Sequence, residues 1–281
     1  MKFVFFGTPD IASAVLRGLV EKDIVPGALV CNPDRPVGRD RVIAPPSTKK
    51  FILDNKFDTK VYQPKDKKEL SSLAKEEFGD YEFGLVLAYN KIIPKEVIDI
   101  FPKGIIGIHP SLLPELRGPS PIRTAILDGK AHTGVTLYLL DEKMDNGPII
   151  ASKKVLIGKD NLKKLTDKII DVAIELCLEE IPKYIDGSLH PVSQNHTEAT
   201  YSGFFKTDDA FIKEKDLENA LIGDDRLTES ILRKIRALNP EPGVYTFMDG
   251  KRTKILDAKK DGIKLVLEEI QVEGKKPISL N

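Results

Sequence analysis

Residues 2–10 read KFVFFGTPD, and this stretch sets the fold class of the chain. Phe3, Val4, Phe5 and Phe6 form an apolar run of strand length closed by Gly7, which predicts a buried strand. Thr8 suits the N-cap of a helix, Pro9 its first position, and Asp10 its first turn, where a carboxylate meets the positive end of the helix dipole. Ile11, Val15, Leu16 and Leu19 then follow at helical spacing. Outward from this strand–turn–helix unit the alternation recurs. Residues 26–32, 84–89, 105–109 and 134–140 read as strands; residues 94–101, opened by a proline, and 119–128 read as helices. Apolar strands alternating with helices predict an α/β fold with a mostly parallel sheet covered on both faces. Such sheets hold ligands at the carboxyl ends of their strands.

Composition narrows the functional classes. The 281 residues are 41% hydrophobic, enough for a globular core and against a disordered chain. Basic and acidic residues balance at 43 each, so affinity for nucleic acid has to come from local patches. The two cysteines, Cys31 and Cys177, lie far apart, which fits a reduced, cytoplasmic setting and excludes a four-cysteine zinc site. The opening apolar run is too short for a signal peptide, and no later run is long enough to span a bilayer. His109, His132, His190 and His196 show no metal-ligand spacing, so no metal is expected.

Towards the C-terminus, residues 160–186 read as a long helix ended by Pro182 and Gly187. Residues 226–238 read as another, stopped by Asn239-Pro240 and Pro242-Gly243. Short strands with turns at Asp249-Gly250 and Asp261-Gly262 are expected over residues 244–278. The predicted organisation is a catalytic domain over 1–187, a polar linker over 188–211 and a small β-module over 212–281.

The chemistry concentrates in residues 104–147, GIIGIHPSLLPELRGPSPIRTAILDGKAHTGVTLYLLDEKMDNG. His109 closes one strand, and Asp145 follows the next strand by a few residues. The topology directs both to one sheet edge, where a histidine beside a carboxylate can move protons near neutral pH. A surface histidine and ordinary turn aspartates fit the same letters, and these residues by themselves do not identify a reaction.

His109-Pro110-Ser111-Leu112-Leu113-Pro114, Arg117-Gly118, Pro121-Ile122, Thr133-Gly134-Val135-Thr136, Asp141 and Asp145-Asn146-Gly147 together resemble the formyltransferase family that uses 10-formyltetrahydrofolate. Phe6-Gly7-Thr8-Pro9-Asp10, residues 33–46 (PDRPVGRDRVIAPP), Ile235–Pro240, residues 244–257 and Gln271–Lys276 resemble the branch that acts on methionyl-tRNA. The resemblance implies a Rossmann-like catalytic domain followed by an OB-like β-barrel. Only 24 residues follow Asp257, so a shortened or partly open barrel is expected. It also implies a monomeric cytoplasmic enzyme whose substrates are 10-formyltetrahydrofolate and initiator methionyl-tRNA. In that chemistry the free α-amine attacks the formyl carbon and an oxyanion develops. His109 would handle protons or stabilise the oxyanion, and Asp145 would orient His109. Ser111, Leu112, Leu113, Pro114, Ala88, Tyr89, Asn90 and Asp141 match the folate pocket. Leu112 and Leu113 equally suit plain loop packing, and the plain alternative for Arg117-Gly118 is a turn with a solvated arginine.

One position departs from the pattern. The family reads Asn-x-His where this chain has Gly107-Ile108-His109. The missing amide would donate to the formyl oxygen, and loss of one such donor typically costs about 10²–10³ in rate. Asn90 is the leading candidate to replace it, since the family usually has glycine there; Asn146 is a second. The departure keeps three alternatives open: a folate-dependent hydrolase, a formyltransferase for a small amine such as a sugar nucleotide, and an inactive tRNA-binding relative.

Two stretches are locally basic. Residues 34–50 carry Arg35, Arg39, Arg41, Lys49 and Lys50 against two aspartates, and residues 230–281 carry eleven basic residues against seven acidic ones. Arg35, Arg39, Arg41, Arg236, Lys251, Arg252 and Lys254 are the expected tRNA contacts. Such contacts give affinity and salt dependence, not base identity.

Overall fold

The computed structural model describes residues 1–38 and 41–280. The first strand, β1 (Phe3–Gly7), is buried along its whole length and leads to α1 (Asp10–Val20). Pro9 takes the N-cap position predicted for Thr8. The Thr8 hydroxyl instead accepts a hydrogen bond from the Asn32 N–H at 3.2 Å and ties the turn to the end of the neighbouring strand. There follow β2 (Ala28–Val30), β3 (Arg35–Val37), β4 (Val42–Ala44), α2 (Ser47–Asp54), β5 (Lys60–Tyr62), α3 (Lys67–Glu77), β6 (Phe83–Leu87), α4 (Lys95–Ile98) and β7 (Ile105–His109). Beyond these lie α5 (Pro121–Leu127), β8 (His132–Leu139), β9 (Ile149–Leu156) and α6 (Leu162–Asp186).

Seven of these strands form one sheet in the order β5-β2-β1-β6-β7-β8-β9. The strands β1, β2, β5, β6 and β7 run parallel, while β8 is antiparallel to β7. This is the predicted Rossmann-like arrangement. On one face Phe6 meets Phe78, Tyr89 and Phe101 edge to face at 5.8–6.2 Å between ring centres. Such aromatic pairs add to the burial that excludes water from the sheet.

Pro182 does not end α6 as its sequence suggests; the helix passes through it to Asp186. Gly187, at φ +86°, supplies the left-handed residue that stops a helix.

The chain forms two compact units: one of 1–117, 134–155 and 167–200, the other of 118–133, 156–166 and 201–281. In the first, Val192 pairs antiparallel with Ile149, and the Thr200 hydroxyl accepts from the Leu116 N–H at 2.9 Å. In the second, α7 (Glu214–Ile222) and α5 both pack on α8 (Asp225–Leu238). There β10 (Tyr245–Met248), β11 (Lys251–Asp261), β12 (Lys264–Val272) and β13 (Ile278–Ser279) form an antiparallel sheet in chain order. The predicted turns lie between these strands: Asp249, Gly250 and Gly262 all take positive φ. The strands β11 and β12, at 11 and 9 residues, are longer than the short strands expected, and the Asp257 bulge bends them without breaking the ladder. Among the described residues no helix is long and apolar enough to cross a membrane.

Candidate active site

The strand β7 carries His109 at its carboxyl end, where the side chain is buried. Its Nε2 lies 2.9 Å from the carbonyl oxygen of Leu116. A carbonyl only accepts, so Nε2 carries the hydrogen. The other ring nitrogen, Nδ1, faces Asp145 Oδ2 at 3.7 Å, an ion-pair distance too long for a hydrogen bond. Burial pushes the His109 pKa down. Asp145 and the Leu116 carbonyl pull it partly back up, and the Arg117 guanidinium pushes it down again. The balance is a neutral imidazole whose unprotonated nitrogen looks at a carboxylate.

Asp145 takes φ +53° in the loop between β8 and β9. Its Oδ1 accepts a 2.7 Å hydrogen bond from the Tyr138 hydroxyl. The Tyr138 ring stands edge-on to His109, 6.4 Å between ring centres. Gly107 lies opposite Tyr138 in the β7–β8 ladder, and a Cβ there would come within 2.3 Å of Tyr138 Cε1. The tyrosine ring, as it stands, leaves no room for a side chain at the glycine that departs from the family pattern.

Arg117 is 3% exposed, so the plain alternative of a solvated turn residue does not hold. Its Nη2 and Nε donate to Gln194 Oε1 at 2.6 and 3.2 Å, and its Nη1 donates to Asn146 Oδ1 at 3.1 Å. Gln194 Nε2 in turn donates to the carbonyls of Asp145 and Gly147, at 3.0 and 2.7 Å. Asn146 completes the web by donating from Nδ2 to Asp141 Oδ2 at 2.7 Å. Both ends of the Asn146 amide are thus engaged.

The expected folate residues fall into three groups. Ser111 and Leu113 are buried, with the Ser111 hydroxyl turned onto the Glu115 carbonyl; Leu112 and Pro114 are partly exposed. Thr136, on β8, accepts from the Leu113 N–H at 3.1 Å and donates to the Ser111 carbonyl at 2.7 Å, fixing this loop. Ala88, Tyr89 and Asn90 follow β6, whose Val86 is in register with Gly107, so both strands end at the same edge of the sheet. Ala88 and Asn90 take φ +50° and +61°. Asparagine, like glycine, tolerates that region, which accounts for its standing where the family has glycine. The Asn90 side chain is exposed, and the Tyr89 hydroxyl is buried without a hydrogen-bond partner. Asp141 lines a cavity of about 470 Å³ together with Lys95, Ile98, Leu140 and Asn146. That volume lies in the range of small-molecule sites.

In the first unit Arg35 and Arg41 are exposed, and Arg39 lies outside the described residues. Lys49 is held by both Asp34 oxygens at 2.8–2.9 Å and by Gln63, and Lys50 pairs with Asp54 at 2.7 Å, so two of the basic charges there are balanced. In the second unit Arg236 donates to the Gly158 carbonyl at 3.0 Å, and the Arg252 guanidinium lies 3.9 Å from the Tyr245 ring centre. Lys251 and Lys254 are exposed.

Sequence reasoning missed Tyr138, Gln194 and the burial of Arg117. Tyr138 had a signal: a glycine two residues before the strand end invites an aromatic ring on the neighbouring strand. Gln194 had none, because nothing local couples it to a loop 47 residues away.

The profile of the formyl transferase family matches residues 1–181, and that of the formyl transferase C-terminal domain matches residues 217–264. The methionyl-tRNA formyltransferase of Staphylococcus aureus (strain JH1) is 34% identical over 259 residues, covering 92% of this chain and 79% of its own. Among solved structures, an N-formyltransferase from Helicobacter canadensis in complex with folinic acid and dTDP-3-aminofucose superposes with a TM-score of 0.68. It is 19% identical, over 97% of this chain and 95% of that one. HypX from Aquifex aeolicus in complex with tetrahydrofolic acid gives 0.64 at 18% identity over all of this chain, which spans just under half, 46%, of HypX. At these identities the two structures share the fold.

Proposed function

The chain belongs to the formyl transferase family, and from that premise we propose that it transfers a formyl group from 10-formyltetrahydrofolate to the α-amine of methionyl-tRNA. The observation that carries this reading is the 34% identity to a methionyl-tRNA formyltransferase across 92% of the chain, through both family domains. The activity belongs to translation initiation in the cytoplasm.

The folate donor supplies an activated formyl carbon. Asp141 at its cavity, the loop Ser111–Pro114 and the β6 end Ala88–Asn90 are the groups proposed to hold it. The cavity volume at Asp141 fits a small-molecule ligand; the Tyr89 hydroxyl, buried without a hydrogen-bond partner, lies outside its lining. When the amine attacks, it must lose a proton, and the leaving nitrogen must gain one. What supports His109 for this work is its neutral form: Nδ1 is free to take a proton, and Asp145 faces the charge that results. Asn90 is the proposed donor to the oxyanion. Arg35, Arg39, Arg41, Arg236, Lys251, Arg252 and Lys254 are the proposed tRNA contacts.

The test is to incubate the protein with 10-formyltetrahydrofolate, with and without methionyl-tRNA, and to follow formyl-methionine and free formate. Formyl-methionine that depends on the tRNA is expected. Formate released equally without tRNA identifies a hydrolase and refutes this reading.

A further inference from the structure

We propose that Tyr138 is a positioning residue of this active site: its ring fills the space that an asparagine at position 107 would need, and its hydroxyl fixes Asp145 through Oδ1, leaving Oδ2 to face His109. Two independent contacts carry this. The first is steric: a Cβ on Gly107 would stand 2.3 Å from Tyr138 Cε1, 2.6 Å from Cζ and 2.9 Å from Leu140 Cδ1. With the ring in this position, an asparagine at 107 and the tyrosine at 138 compete for one space. The second is polar: the hydroxyl donates to Asp145 at 2.7 Å. A phenol has one hydrogen to give, so this bond leaves none for an oxyanion. Tyr138 thus replaces the missing amide in space and supports the His–Asp pair, while the oxyanion donor must be another group.

The phenol suits the task. Burial first, and Asp145 second, push its pKa well above the ordinary tyrosine value, so it stays protonated and remains a donor. Tyr138 faces the pair from β8, Asp141 acts on the phenol from the loop after it, and Arg117 and the Leu116 carbonyl face His109 from the segment after β7. Tyr138 is hydrogen-bonded to the Asp145 carboxylate at Oδ1.

The proposal rests on formyl transfer for its kinetic arm alone; a titration arm is independent of activity. Tyr138→Phe keeps the ring over Gly107 and removes the hydroxyl. Without that donor the Asp145 carboxylate holds its charge less dispersed, and the His109–Asp145 pair gains proton affinity. The expected result is an upward move in the His109 titration, read by NMR with the His109 signal assigned by its loss in His109→Gln. The turnover kcat should fall by about tenfold to a hundredfold, as when the outer hydrogen-bond partner of a metal ligand is removed, while KM for the folate stays within about twofold. Unmoved titration with parental kcat overturns the proposal, whatever happens to the melting temperature. The space-sharing half is tested by Gly107→Asn, Tyr138→Ala and their combination. The double variant should exceed Gly107→Asn alone in kcat/KM by at least about tenfold, because the ring is gone where the amide enters. Losses that simply multiply overturn the competition for space. If the parent transfers no formyl group, the proposed function fails, and the titration of Tyr138→Phe, together with urea unfolding of the parent, Gly107→Asn, Tyr138→Ala and their combination, decides the Tyr138 proposal.

Discussion

Arg117 and Gln194 lie 77 positions apart in sequence, yet two hydrogen bonds of 2.6 and 3.2 Å join the buried guanidinium to one amide oxygen. The other end of that amide holds the carbonyls of Asp145 and Gly147. The pair is a brace between the segment that follows His109 and the loop that carries Asp145. Arg117→Lys retains the charge but loses the forked geometry that reaches Gln194 and Asn146 together. Hydrogen bonds to a charged group contribute about 1.5–3 kcal/mol each when a buried partner is lost. The variant should unfold at lower urea by at least one such increment, with formyl transfer reduced beyond what its folded fraction explains. A midpoint equal to the parent's would show that Gln194 and Asn146 find other partners.

His109 and Asp145 are the pair on which catalysis should depend most. His109→Gln and Asp145→Asn are expected to lower kcat by about 10²–10⁴, the usual contribution of a positioned acid–base group. Circular dichroism should remain native for both, since each substitute fills nearly the same volume. Steady-state kinetics with saturating folate and methionyl-tRNA reads the effect. Retention of more than a tenth of the parental kcat in His109→Gln would remove the imidazole from the chemistry.

Burial of His109 also links stability to pH. Its folded-state pKa lies below the ordinary histidine value of 6.5, with burial the main cause. From 6.5 downward to the folded pKa, the unfolded chain binds a proton that the folded chain refuses, so stability falls as the solution is acidified. Above 6.5 both states are neutral at this site and the contribution is flat. Urea unfolding between pH 5 and 7.5, run on the parent and on His109→Gln, should show a shallower acid loss in the variant. Equal slopes would mean that other groups carry the acid sensitivity.

Gly147 is constrained by close approach: a Cβ there would stand 1.9 Å from the Leu139 carbonyl oxygen. That oxygen is backbone and cannot rotate away. Gly147→Ala must therefore shift the loop that carries Asp145 and disturb the Gln194 bond to the Gly147 carbonyl. The expected outcome is a loss of kcat with Asp145 still present. NMR signals of the Gln194 side-chain amide should move with it, and unchanged signals would show that the loop absorbs the methyl elsewhere.

Much of this was legible in the sequence because it is local or periodic. The run Phe3–Phe6, closed by Gly7, reads as a buried strand; strand ends place His109 and Asp145 at one sheet edge, and the family resemblance gives them a role. The intervening α2, β5 and α3 were harder, since β5 is three residues long and α3 is largely polar. Even so, Asp66 capping α3 through the Glu69 N–H at 3.0 Å leaves a readable Asp-x-x-Glu signature. What could not be read was the pairing of Gly107 with Tyr138 and of Arg117 with Gln194. The first needs the antiparallel register of β7 and β8. The second needs the chain to return from 194 to 117, and neither periodicity nor composition encodes that.

The basic residues of the second unit divide into two kinds, and the division is testable. Lys251 and Lys254 are exposed, whereas Arg252 stacks on Tyr245 across the β10–β11 ladder. Free surface lysines can neutralise phosphates and release counterions; each such contact steepens the salt dependence of binding by about one. Lys251→Glu with Lys254→Glu should therefore weaken methionyl-tRNA binding and flatten the plot of log affinity against log salt by about two. Melting temperature and folate KM should hold. Arg252→Ala should differ in one further respect: a cation–π contact of this kind contributes about 0.5–2 kcal/mol, so the variant should lose stability beside its proposed phosphate contact. Its salt slope should change less than that of the lysine pair. Filter binding across a salt series, beside thermal melts, separates the two kinds. A lysine pair with an unchanged slope would place the tRNA elsewhere.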